Sequence, residues 1–500
     1  MSAAADDDDR GSAAPSAVPS AAPNAAPGAG TAAGAAALPP AANLVAAPGG
    51  ELWSQLQLAT PLAAQQLGLQ VMGAVDTAIL GHYSASALAG AGVATGLVVA
   101  ITCVGMGIVM GIDAVLPRAL GAGDHAAVDR ALRAGLRLAV MIGVPAMLLI
   151  LGARWLLPWL GSAPDVAAEA QWYMLGRAPG VIPFLLTCAM RPYLVAHGKT
   201  WPILAAVIGG NVLNVGADGL LVFGDRGLVA MGLPALGLPA LGTLGAALAT
   251  SLVQLATVAV YAQGVVSVRR RQLGDGPRSR QRGDELAAIV RHGVPIGLQL
   301  LAEVSVFAAA GVMAAHFGTA AAAAHSVALS LASFTFGTAL GVGGATAVRV
   351  GLALGLGGPR AHQVARRRGF TGLALGLAVM AAGAAAFLLV PRALAGIFTS
   401  DPAVVTLAVP LLGVAAVFQL SDGAQAVISG ALRGASDTRS ALWANVFGHY
   451  AIGLPISLTL AFMAGLGTIG LWWGLSAGLI VTSVILIARF WRITEAPAPR

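Results

Sequence analysis

Apolar stretches of about 18 or more residues, each long enough to cross a bilayer, recur from Leu56 to Leu486 of this chain. Hydrocarbon offers no partner to a backbone N–H or C=O, so a spanning segment must be a helix or part of a closed barrel. These stretches are too long for barrel strands, which need only about 9–11 residues. The fold class that follows is an all-α polytopic membrane protein. Twelve transmembrane helices are expected, near residues 56–80, 89–112, 132–153, 170–190, 201–223, 241–266, 288–314, 322–347, 369–390, 404–430, 441–463 and 468–489.

The twelve divide six and six, because residues 61–137 and 295–371 are gapless copies of one segment at an offset of 234 positions. Pro61 falls on Pro295, Gln65 on Gln299, His82 on His316, Gly107 on Gly341, Gly121 on Gly355 and Arg133 on Arg367. The expected organisation is two pseudo-symmetric six-helix lobes, 51–266 and 288–490, joined by a basic cytoplasmic linker, 267–287. Residues 1–50, rich in Ala, Pro, Gly and Ser and opened by Asp6–Asp9, read as a disordered cytoplasmic tail, and 491–500 as a second one. No basic segment followed by an apolar core marks 1–50 as a signal peptide. Duplication in so apolar a chain points to a transporter that handles its substrate between the halves.

Composition supports this reading and removes others. Charged residues are 10% of the chain against about 25% in an average soluble domain, and mean hydropathy is +0.81. The net charge of +7 is not a nucleic-acid signal. Apart from Arg10 in the tail and Arg154, Arg177, Arg226 and Arg392 at the opposite face, the basic residues fall in alternate connections and at the C-terminus. By the positive-inside rule those faces and both termini are cytoplasmic, in a plasma or inner membrane. Cys103 and Cys188 lie inside apolar spans and form neither a disulfide framework nor a metal site. There is no Walker-type G-x-x-x-x-G-K-[ST], no H-E-x-x-H and no G-x-S-x-G, so the chain is not expected to be an enzyme or to need a cofactor.

The informative residues are acids where acids are costly. An ionised carboxylate at a helix centre costs at least about 2.5–3.5 kcal/mol, so one inside a span is a functional candidate. Five fall there: Asp76, Asp113, Asp218, Glu303 and Asp422. Asp113 suits a structural pairing with Arg118. Asp218 has Asn214 one turn before it on the same face, which is either a cation or proton site or packing glue between helices. Asp76 is followed by Thr77 in a span that Pro61 allows to bend; the bland alternative is that Asp76 caps the end of that span. Glu303 with Gln299, and Asp422 with Gln419 and Gln425, form stripes too polar for lipid and are expected to face the cavity between the halves, or else to bond within the protein. A carboxylate in such a place can hold a proton, a metal cation or an organic cation, one at a time, which is the physical basis of exchange.

Several segments resemble one family. Pro61…Asp76-Thr77-Ala-Ile-Leu-Gly81-His, Gly210-Asn211-Val-Leu-Asn214-Val-Gly-Ala-Asp218 and Gly245-Ala-Ala-Leu-Ala-Thr250 are similar to the multidrug and toxic compound extrusion (MATE) transporters. Pro295-Ile-Gly…Ala302-Glu303-Val, Gln419-Leu-Ser-Asp422-Gly-Ala-Gln425 and Gly430-Ala-Leu-Arg433-Gly-Ala-Ser-Asp437-Thr438-Arg439 resemble its NorM-like branch. The likeness covers about residues 51–490. It implies two six-helix lobes and export of amphipathic, mostly cationic drugs in exchange for Na⁺ or H⁺. It places Asp76, Asn214, Asp218 and Thr250 in an N-lobe cation site, Glu303 and Asp422 in a C-lobe one, and Pro61 at a bend. If the coupling ion is Na⁺, Asp76, Asp218, Glu303 and Asp422 would be its metal ligands. Ala310 stands where the repeat would put a partner for Asp76, so the lobes are not equivalent. The cavity is expected to be poor in aromatics, since Phe, Trp and Tyr make up 5% of the chain. The implied partners are small organic cations and the bilayer, with the protein a monomer. The alternative is a flippase for a lipid-linked oligosaccharide, whose pyrophosphate would call for several arginines within the spans; none is read there.

Overall fold

The computed structural model describes residues 50–160, 163–230, 232, 234–273, 284–358 and 360–495. The tail expected at 1–50 lies outside the described residues except Gly50, as do 274–283 of the linker and 496–500 of the C-terminal tail. Eleven helices are long and apolar enough to span a membrane. A further long helix precedes them, α1 (Gly50–Tyr83), which carries five glutamines and Asp76. The eleven are α2 (Ala85–Gly121), α3 (His125–Leu157), α4 (Pro164–Ala196), α5 (Trp201–Phe223), α6 (Gly242–Leu273), α7 (Glu285–His316), α8 (Thr319–Gly355), α9 (Ala361–Leu389), α10 (Pro402–Gly434), α11 (Thr438–Met463) and α12 (Gly467–Ile493).

Helix starts follow local chemistry. Ser84 accepts from the Ala87 N–H to open α2, Asp124 from Ala127 to open α3, and Asp401 from Ala403 ahead of Pro402 in α10. The helices outrun the apolar stretches that reveal them. α6 continues to Leu273 and α7 begins at Glu285, so both ends of the expected linker are helical. A basic run at a helix C-terminus favours this extension, and Arg269 is anchored by Asp129 at 2.9 Å. Between α5 and α6 the Asp225 carboxylate accepts from the N–H groups of Leu238, Leu236 and Gly237. These backbone bonds, Leu238 first, hold it below the usual carboxylate range.

The two halves meet along a seam of glycines. A Cβ on Gly107 of α2 would fall onto the backbone of Gly297 in α7, and one on Gly341 of α8 onto Ala63 in α1. These are the same contact repeated, since 107 and 341, and 63 and 297, are both 234 apart. Further along, Gly121 abuts the Leu352 carbonyl and Gly355 abuts the Arg118 carbonyl, again exchanged by the offset. The lobes therefore meet face to like face, as subunits do across a two-fold axis. Apolar burial does not drive helices together in lipid, and small residues let backbones approach closely instead. Adding one methyl at Gly341 should lower the stability of the extracted protein by about 1–3 kcal/mol through overpacking. Gly209, with nothing within 4 Å of its Cβ position, supplies the control. Equal melting of Gly341→Ala and Gly209→Ala would remove the seam from the account.

Ionic contacts join the lobes at the basic end. Glu51 of α1 meets the Arg349 guanidinium of α8, and Arg368 of α9 stands 3.6 Å away. Arg349 also donates to the Glu51 carbonyl at 2.9 Å and to Gln55 Oε1 at 3.0 Å, while Gln55 donates to Thr346 at 2.8 Å. Arg130 of α3 pairs with Glu285 of α7 at 2.6 Å. Asp113 lies 3.9 Å from Arg433 of α10, across the lobe boundary, and not against the expected Arg118. Five helical positions turn a side chain well away from its starting face; Arg118 instead reaches Ser436 Oγ at 3.4 Å.

Candidate functional site

The N-lobe residues singled out from the sequence converge. Asp76 lies seven residues before the end of α1, buried and inside the helix, so it is not a cap. Asn214 Nδ2 of α5 donates to Asp76 Oδ1 at 3.0 Å, and Thr250 Oγ1 of α6 donates to Asp76 Oδ2 at 2.9 Å. Asp218, one turn beyond Asn214, stands close to both Asp76 and Asn214. Neither of its buried oxygens completes a hydrogen bond, and neither does Asn214 Oδ1.

The cluster is thus short of donors. Asn214 and Thr250 supply what hydrogen bonds there are and direct them to Asp76. Asp218 and the Asn214 carbonyl present buried oxygens that no protein donor reaches. Two neighbouring carboxylates are stable there only with a positive partner, and oxygen-only ligation suits a hard monovalent cation or a proton.

Asp76 also lines a cavity of about 470 Å³ walled by α1, α2, α4 and α6. Thr77, Thr95, Thr102, Thr250 and Gln254 give it polar points beside Asp76 and Arg177, and most of the remaining lining is apolar. Tyr173 and Phe184 contribute two aromatic rings. Arg177, assigned from the sequence to an outer helix end, sits well inside α4 and on the cavity wall. Pro61 lies within a continuous α1, beside the residues that touch Gly341.

The C-lobe candidates are buried inside their own lobe. Gln425 Nε2 donates to Glu303 Oε2 at 3.3 Å, and Asp422 lies near enough to Glu303 for their charges to interact. Gln419, fully buried, donates to Thr335 of α8, and Gln299 is buried in α7. Asn445 of α11 adjoins Glu303 and leaves both side-chain polar atoms unsatisfied. It was overlooked in the sequence, although an asparagine within an apolar span was signal enough. Just after it α11 widens into π-helical turns at Phe447–Gly453, a distortion common at functional sites.

The MatE family model matches residues 61–218 and 295–459, one stretch in each lobe. The chain is 35% identical over 458 residues to the probable multidrug resistance protein NorM of Brucella suis biovar 1, covering 89% of this chain and 93% of that one. It is 34% identical to the multidrug resistance protein NorM of Burkholderia vietnamiensis, covering 89% and 95%. In fold it resembles a MOP superfamily transporter from Pyrococcus furiosus, with a TM-score of 0.80 at 19% identity over 91% of this chain and 98% of that one. Matched in both halves and over most of its length, the chain belongs to the MatE family, the multidrug and toxic compound extrusion transporters.

Proposed function

We propose that the protein is a secondary active antiporter that exports amphipathic, mostly cationic compounds in exchange for Na⁺ or H⁺. The donor-poor cluster of Asp76, Asn214, Asp218 and Thr250 carries this reading, because it needs a positive partner and opens on the cavity that would hold the drug. The relatives' multidrug names support the substrate class.

The basic end, with both termini, faces the cytoplasm on this reading, in an inner or plasma membrane. The seam and its ion pairs then close the cytoplasmic side, and the cavity serves the opposite face. A coupling ion enters the N-lobe cluster and neutralises its excess of oxygens, which weakens the hold on a cationic drug and releases it outward. With the ion bound, the lobes rock to expose the cavity to the cytoplasm, where ion is exchanged for drug. A cation biases this equilibrium only by its difference in affinity for the two arrangements. One charge crossing about 100 mV contributes roughly 2.3 kcal/mol. Glu303 and Asp422, with Gln425 and Asn445, form a second candidate ion site in the C-lobe. Gln299 and Gln419 act in this scheme by tuning that interior.

Ethidium uptake into proteoliposomes under separately imposed Na⁺ and H⁺ gradients is the test. One gradient should drive accumulation against the concentration difference. Uptake that neither gradient changes would refute antiport. A lipid-linked oligosaccharide flippase is less well supported, since its pyrophosphate calls for several arginines and, among the described residues, the cavity wall carries only Arg177.

A further inference from the structure

A second, smaller cavity of about 40 Å³ adjoins the first in the N-lobe, and Met72 and Gln254 are among the residues that line both. Its own walls add Gln65 of α1, Thr187 of α4, Asn211 of α5, and Thr257 and Tyr261 of α6. Three of these helices place their residues on the basic-end side of the Asp76 cluster. Gln65 precedes Asp76 by eleven positions, Asn211 precedes Asn214 by three, and Tyr261 follows Thr250 by eleven. At about 1.5 Å per residue these steps amount to roughly 5–16 Å.

Three of the lining side chains have buried polar atoms that no protein group satisfies: Gln65 Oε1, Asn211 Oδ1 and the Tyr261 hydroxyl. Tyr261 is wholly buried. Buried polar atoms are hydrogen-bonded as a rule, so three orphans around one space call for something that enters it. The Asn211 amide nitrogen donates to the Val207 carbonyl at 2.9 Å, which leaves the amide oxygen over. Thr187 donates to the Phe184 carbonyl at 2.6 Å and Thr257 to the Val253 carbonyl at 2.9 Å, so both hydroxyls have only lone pairs left. Among the described residues no acid and no basic side chain belongs to this lining. Size then decides what can enter. A drug needs a few hundred Å³, whereas about 40 Å³ admits only water-sized species. Neutral oxygens can replace a small cation's hydration without gripping it, and a conducted ion needs sites it can also leave.

We propose that this chamber is a transit site for the coupling ion. A small cation with its water, Na⁺ or hydronium, leaves the Asp76 cluster through it toward the cytoplasmic side, apart from the path of the drug. This deepens, and rests on, the antiport reading above. The carboxylates hold the ion and the neutral oxygens pass it on. The chamber therefore sets how fast the ion departs and not how tightly the drug binds.

The test compares two rates in proteoliposomes holding the full chain. One is net ethidium transport under the effective ion gradient. The other is exchange of labelled for unlabelled ethidium with no gradient imposed, which turns over the drug-loaded protein and does not wait for the ion to depart. Gln65→Leu combined with Tyr261→Phe removes two of the oxygens and keeps the bulk. The ratio of driven transport to exchange should fall about tenfold, the effect of withdrawing buried hydrogen-bond partners from the passing ion. Tyr261→Phe alone is one atom smaller than the natural side chain and should lower the ratio about threefold, which serves if the double variant does not fold. Reading a ratio cancels differences in expression. An unchanged ratio in Tyr261→Phe and in the folded double variant, with the unmodified chain driven normally, overturns this inference alone. An unmodified chain that neither gradient drives overturns the antiport reading beneath it.

Discussion

Ion-driven export should fall by on the order of 100-fold in Asp218→Asn, while the protein still extracts, elutes and melts as a folded membrane protein. The substitution keeps the size of the side chain and removes its charge. Asp218 has no hydrogen bond to lose, and the new amide can donate toward Asp76, which stands close by. The cluster thereby gains in the variant the donor it lacks, so folding is spared. The cation does lose its partner. Removing one member of a buried charge pair costs about 2–5 kcal/mol, and 2.7 kcal/mol is about 100-fold in affinity. Asp76→Asn should be as inactive, since the remaining carboxylate could no longer share a cation with it. Initial rates in proteoliposomes under the effective gradient decide the matter. Near-normal export in both variants would mean that the N-lobe cluster is packing glue.

Glu51→Gln should have the largest effect on conformation. Arg349 and Arg368 are almost wholly buried, with side chains 3% and 0% exposed, and Glu51 is the acid set against both. Removing one partner from a buried ion pair costs about 3–5 kcal/mol. That cost falls on the arrangement in which α1 meets α8 and α9, because separating the lobes lets water reach both guanidinium groups. Spin labels at Ala122 and Leu356, both exposed beside the seam, report the separation once Cys103 and Cys188 are replaced by serine. Glu51→Gln should add a longer-distance population that the unsubstituted chain lacks. Identical distance distributions would show that these charges do not hold the end shut.

Much of this could be read from the chain, for specific reasons. The helices were legible because lipid admits only segments that satisfy their own backbone, and the two lobes because the duplicated segment needs no gap. Asp76, Asn214 and Asp218 stood out by the cost of acids in apolar spans, and the structure brings them together with Thr250. The direction in which a polar stripe points was not legible. A stripe excluded from lipid can face a cavity or the inside of a lobe, and the periodicity is the same in both cases. The stripe of Gln419, Asp422 and Gln425 was expected to face the space between the halves. In the structure Gln419 and Gln425 bond to Thr335 and Glu303 within the C-lobe. Arg177 shows the same ambiguity along the helix axis. The sequence put it near an outer end, but α4 begins at Pro164, ahead of the expected start near 170, and Arg177 lines the cavity. Asp113 was expected against Arg118 but stands 3.9 Å from Arg433, which the other lobe supplies.

The glycine-to-backbone contacts between α1 and α8, and between α2 and α7, bear on how cheaply the protein can change state. A joint made of interlocking side chains must unlock dozens of rotamers before it turns. Bare main chain sliding on main chain has no such teeth, and the exchange of roles between Gly107 and Gly341 balances the joint about its pivot. Most of the cost of turning then sits in the few charges at the rim. On the proposed antiport cycle, an ion arriving at a distant carboxylate then has little besides those rim charges to offset.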